Sequence, residues 1–225
     1  ERWGLEELTG WLEGRKQPIF KQTPAIHSET PYLFKGNNFY NTRTLSLYLS
    51  RNPETAMQII ADRNLVNWLS KVIKNKKQAN SILATVKQAA LHKEEPQGSD
   101  EFVIAKACMI LDPLAPINFN GCSFMPDGFG VALAVDFLHQ GITKRCIQVL
   151  QLGLAQFWYS LQQNVFANDI DQQEEYTALS GYLALKDPGF GFERCLYESN
   201  PTLACQSEII ANDYVCQIKD LLPAL

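Results

Sequence analysis

The chain has 225 residues, 46% of them hydrophobic and 20% charged, which is ordinary for a folded globular protein and far from the signature of disorder. Its formal net charge is -4 and its pI is about 5.4, values that argue against a nucleic-acid partner. The best candidate membrane segment, GFGVALAVDFL, is too short to span and carries Asp136, so no membrane partner is expected.

In chain order, RWGLEELTGWLEG opens the sequence with Trp3, Leu5, Leu8, Trp11 and Leu12 at helical spacing and Gly14 placed to end the run. No capping residue stands before it, so the chain is expected to be a piece of a longer protein. Residues 15–31 hold three prolines and no period and are expected to form a linker. YLFKGNNFYN then reads as a β-hairpin turning around Lys35, Gly36, Asn37 and Asn38.

From Thr42 the period becomes helical. TRTLSLYLSRN gives one short helix, and Pro53 suits the first turn of a second with Met57, Ile59 and Ile60 inward. NLVNWLSKVI gives a third, with Leu65, Trp68, Leu69 and Val72 as one stripe, and SILATVKQAAL continues the pattern. HKEEPQGSDE, residues 92–101, is polar and is expected to hold a subdomain boundary or a mobile loop.

In the second half, EFVIAKACMIL predicts a helix ended by Asp112-Pro113. LAPINFNGCSFMPDGFG predicts an ordered connection that has room for short strands. A broad stripe of Ile142, Cys146, Val149, Leu150, Leu154, Phe157, Leu161 and Val165 predicts one long central helix over about 142–164. EEYTALSGYLAL, DPGFGFERCLYESNP and IKDLLPAL each predict a further helix. The expected fold is therefore mainly α: a multi-helix domain over 32–225 with a small β-hairpin near the N-terminus.

The charge is unevenly distributed. Residues 1–95 carry 14 Lys/Arg against 9 Asp/Glu, and residues 96–225 carry 6 against 15. The basic excess peaks in KVIKNKK, where Lys71, Lys74, Lys76 and Lys77 end one helix and begin the next. Lysines at a helix C-terminus complement its dipole; as a functional reading, the same four residues are the candidate partner-binding surface.

No motif in the chain carries chemistry. PDGFGVALA lacks the remainder of a Walker or Rossmann phosphate loop and reads as an Asp127 N-cap with turn glycines. Cys122 with His139 has no recognisable nucleophile–base spacing. Asp169, Asp171, Glu174 and Glu175 lack the glycine and terminal glutamate of a calcium loop and read as acidic residues opening a helix. His27 and His92 read as surface residues of the two polar segments, and Trp3, Trp11, Trp68 and Trp158 as core. The six cysteines have no metal-ligand spacing and read as reduced thiols packed as small hydrophobes; Cys108, Cys146, Cys195 and Cys216 sit among apolar neighbours. No catalytic residue, metal or cofactor is expected in this chain.

RWGLEELTGWLEG resembles the last C-lobe helix of bacterial serine/threonine protein kinases, where an Arg-Trp-Gly-x-x-Glu pattern opens the helix and WL-x-G leads out of it. PYLFKGNNFYNTRTLSLYLSRNPETAMQII, NLVNWLSKVI and LYESNPTLACQSEII resemble the region that follows the catalytic domain in some of these kinases. The resemblance implies that residues 1–14 end an upstream kinase-like domain, with ATP and Mg bound there and not here. It also implies a regulatory or substrate-docking role for the helical domain, with the kinase domain in cis or another protein as its partner, in the cytoplasm. The alternative is an independent helical interaction module, such as a bacterial effector secreted to bind a host protein.

Overall fold

The computed structural model describes Thr9, Leu12, Glu13 and residues 25–140, 145–162, 167–210 and 212–224. Of the expected opening helix, Thr9 and Leu12 are helical, and the Glu13 N–H donates to the Thr9 carbonyl at 3.0 Å. The remainder of that helix, with Trp3 and Trp11, and most of the expected linker lie outside the described residues.

Among the described residues the architecture is mainly α with two small antiparallel hairpins. β1 (Tyr32–Phe34) pairs with β2 (Asn37–Phe39) in the register Tyr32↔Phe39. The turn is Lys35-Gly36 alone, with φ of 44° and 83°, the left-handed pair that matches the twist of a two-residue hairpin. Asn37 and Asn38, expected in the turn, belong to the strand. Tyr32 and Phe39 share the buried face, and the Tyr32 hydroxyl donates to Asp62 at 2.8 Å.

Four short helices follow. In α1 (Thr42–Arg51) the Asn41 side chain caps the first turn by accepting from the Thr44 N–H. α2 (Pro53–Ile60) starts on its proline and buries Ala56, Ile59 and Ile60. α3 (Arg63–Asn67), capped by Asp62, runs into a π turn over Trp68–Val72. The wider turn inserts a residue into the stripe, so Ile73 takes the buried position expected of Val72, which is half-buried. α4 (Lys76–Leu91) then carries the chain to the polar segment that precedes α5.

α5 (Asp100–Leu111) is the axis of the fold. Ser99 caps it, Asp100 and Glu101 occupy its first turn, and from Val103 to Leu111 every side chain but Lys106 is buried. Ile104, Ala107, Cys108, Ile110 and Leu111 join the core formed with α1 to α4. Ala105 and Met109 face a second core, formed with the elements downstream. A helix apolar on nearly all sides has no amphipathic stripe because it has no solvent face.

The connection after α5 holds the second hairpin, β3 (Ile117–Phe119) and β4 (Cys122–Phe124), joined by Asn120-Gly121 with φ of 49° and 77°. A 3₁₀ turn over Pro126–Gly128 leads straight into α6 (Phe129–Gln140), so Asp127 stands inside that turn and not at the N-cap position expected of it. The expected long helix is instead two: α7 (Arg145–Gln151) and α8 (Leu154–Ser160). Gly153, at φ 64°, ends the first by donating to the Leu150 carbonyl, while its own carbonyl accepts from the Phe157 N–H that begins the second. α9 (Ala167–Ala184), α10 (Phe192–Glu198) and α11 (Ile218–Ala224) complete the chain. α9 starts at Ala167, before the stretch from Glu174 that predicts it, and Ile142 and Val165 of the expected stripe lie outside the described residues.

Candidate functional site

Lys71, Lys74, Lys76 and Lys77 are all exposed around the junction between the π turn and α4. The junction is fixed by its backbone. Lys74 adopts φ 60°, a left-handed conformation that costs a non-glycine residue about 1 kcal/mol. The next N–H, of Asn75, reaches back to the Leu69 carbonyl at 2.9 Å, and the Asn75 side chain caps α4 by accepting from Gln78. Dipole complementation accounts for Lys71, in the last turn of the π segment, but not for Lys76 and Lys77. These two occupy the first turn of α4, which contains no acidic residue, so their charges add to the positive end of the helix dipole. The corner therefore gathers four exposed lysines within seven residues, two of them at the positive end of a helix.

The corner is tied to a groove. Gln78, next to Lys77, donates to the Ile110 and Leu111 carbonyls at the end of α5. On the following residue, Asp112 meets Arg43 of α1 at 3.5 Å. A groove of about 740 Å³ opens there, with Arg43, Thr44 and Arg51 on the α1 side and Asp112, Asn118 and Ser123 on the other. Its lining is mixed: Ala25, Leu47, Leu114, Ala115 and Pro116 supply apolar surface between the arginine, hydroxyl and amide groups, and none of the four lysines lines it.

A second cluster lies in the downstream core. Cys122, the first residue of β4, places its Sγ 3.3 Å from the Sγ of Cys146 in the first turn of α7. Asp136 of α6 is buried beside them and is held by the Arg145 guanidinium at 2.5 Å. The donor atoms of Cys122, Asp136 and Cys146 lie within 4.8 Å of one another. Burial first, then Cys122 and the Asp136 carboxylate, push the Cys146 thiol well above the ordinary thiol range. The sulfur partner of Cys122 is thus Cys146 and not His139, which is exposed near the end of α6.

Elsewhere the cysteines divide by burial. Cys108 and Cys195 are buried, with thiols raised chiefly by desolvation to about 12 and about 11. Cys108 and Ser46 exchange reciprocal side chain to carbonyl bonds that join α5 to α1. Cys216, expected among the apolar set, is only half-buried. Trp68 and Trp158 are core residues whose indole N–H groups donate to the Thr30 and Ala115 carbonyls. His27 and His92 are exposed, as are Glu174 and Glu175; the Asp169 and Asp171 side chains lie outside the described residues. Half-buried Lys106 lies over the Phe157 ring at 4.3 Å, and desolvation lowers its pKa.

No protein-family model matches the chain, and neither the curated proteins nor the solved structures give a significant match to it.

Proposed function

We propose that this is a non-catalytic helical domain that follows a bacterial protein kinase domain and acts as a regulatory or substrate-docking scaffold, engaging its partner through the lysine junction. The observation that carries the docking part is the uncompensated charge of Lys76 and Lys77 in the first turn of α4, exposed beside Lys71 and Lys74 on a fixed backbone. Placing cations at that helix end works against the dipole, a cost that contact with an acidic surface reverses. The kinase attachment is supported by the opening RWGLEELTGWLEG and its likeness to a terminal C-lobe helix. The groove beside Asp112 offers a docked chain apolar surface and the polar side chains of Asn118 and Ser123 in addition to the charge of the lysines.

Reversing Lys74, Lys76 and Lys77 to Glu together is expected to weaken binding of the separately expressed upstream region of the natural gene product by tenfold or more at low salt. The loss should shrink as ionic strength rises, because an exposed charge contact is screened beyond about 10 Å at 0.1 M salt. Unchanged affinity at low salt in a folded triple variant would remove the lysine junction from the interface. An upstream sequence lacking a Gly-rich loop, a β3 lysine and an HRD motif would favour the independent interaction module instead.

A further inference from the structure

The Cys122–Cys146 pair is not used by the docking proposal and stands independently of it. The two sulfurs are 24 positions apart in sequence and 3.3 Å apart in space, with one thiol on a hairpin and the other on a helix. A bond requires the two sulfurs to close from 3.3 Å to about 2.05 Å. Their accessibility is unequal: Cys122 is half-buried, while Cys146 is buried. A cation is the competing occupant, but Asp136 already carries the Arg145 guanidinium, and the three donors fall one short of a closed tetrahedral thiolate site.

We propose that Cys122 and Cys146 are a redox pair that exchanges with a low-molecular-weight disulfide, such as oxidised glutathione, and closes into a bond joining the β3–β4 hairpin to α7. The Cys122 thiol loses its proton to water, and its thiolate attacks one sulfur of the disulfide. The S–S bond of the reagent breaks, and one glutathione leaves as thiolate and is protonated. Cys146 then attacks the Cys122 sulfur of the mixed disulfide, its proton passing to the second glutathione, which leaves as a thiol. The two protein thiols are oxidised by two electrons in total, and the reagent is reduced to two thiols. The order follows from access, since the reagent reaches the half-buried sulfur first. The neighbour of Cys122, Ser123, lines the groove beside Arg43 and Asp112, so the bond would fix one wall of that groove.

The test is to equilibrate the purified chain in stepped ratios of oxidised to reduced glutathione, trap free thiols by alkylation, and map peptides without reduction. The expected product is lighter by two hydrogens, links Cys122 to Cys146, and still forms when Cys205 and Cys216 are replaced by Ser. Cys122→Ser should abolish it, and the oxidised protein should melt about 5–10 °C above the reduced one. Arrest at a glutathione adduct on Cys122, or a linkage through another cysteine, overturns the proposal. So does protection of both thiols from alkylation by stoichiometric Zn²⁺, which would make the cluster a metal site. Because the peptide map uses the unaltered chain, its outcome does not depend on the folding of a Cys146 variant.

Discussion

Gly130→Ala is expected to destabilise the domain by about 1–3 kcal/mol, lowering its melting temperature by roughly 3–10 °C. The position is inside α6, where alanine ordinarily gains about 1 kcal/mol over glycine. Here a Cβ would stand 2.4 Å from the Ser199 carbonyl oxygen, and the neighbour that must yield is backbone. That backbone is held in place: the Asn200 side chain donates to both the Gly130 and Leu196 carbonyls. Gly181→Ala is the internal control, since it also lies within a helix, α9, but has no atom within 4 Å of its added Cβ. The control should be neutral or slightly stabilising in the same thermal melt. Equal behaviour of the two variants would mean that α6 does not approach the 199–200 segment as closely as described.

Met109→Ala should cost about 2–5 kcal/mol, because the side chain is fully buried and its loss leaves a cavity. More informative is where the loss appears. Met109 belongs to the downstream core, yet its helix carries Ala107, Cys108 and Ile110 into the upstream core. A helix shared by two cores cannot unfold in one while remaining packed in the other, so both cores should melt together. Trp68 reports on the first and Trp158 on the second. In two backgrounds that each retain one of these tryptophans, with the others replaced by Phe, Met109→Ala should move both fluorescence transitions by the same amount. A shift of the Trp158 transition alone would show the two cores to be independent.

The helical architecture is legible in the sequence because the local signals agree with the packing. Asn41, Asp62, Asn75 and Ser99 sit at helix starts and cap them, Pro53 sits at a first turn, and Lys35-Gly36 makes a tight turn. Expectation and structure part where backbone geometry overrides side-chain period. The apolar stripe continues through Leu150, Leu154 and Phe157 although the helix breaks at Gly153, because α7 and α8 bury their faces in the same core. The π turn at Trp68–Val72 shifts one residue of a stripe without any marker in composition. Asn120-Gly121, flanked by INF and CSF, is a readable hairpin signal inside a segment whose composition marks it only as an ordered connection.

The two candidate sites differ in the same way. The exposure of the four lysines follows from their charge, and their number and spacing are plain in KVIKNKK. That Lys76 and Lys77 begin the next helix is also read from sequence; what the structure adds is the backbone that sets them there, the left-handed Lys74 and the Asn75 cap. The Cys122–Cys146 pair is beyond the reach of sequence for a topological reason. A hairpin and a helix separated by α6 meet only in the folded core, and neither cysteine has a spacing motif to announce the other.

Phosphoryl transfer is the direct test of the proposal that this domain regulates, or docks substrate for, a kinase to which it is attached. The natural gene product should be compared with a version ended after Gly14, both assayed with ATP and Mg on a generic protein substrate. A change in rate or in substrate selection is expected on removal of the segment that begins at residue 15, reproduced in part by the Lys74, Lys76 and Lys77 reversal in the intact protein. Identical phosphorylation by the two versions, or a gene product with no kinase activity, would contradict it.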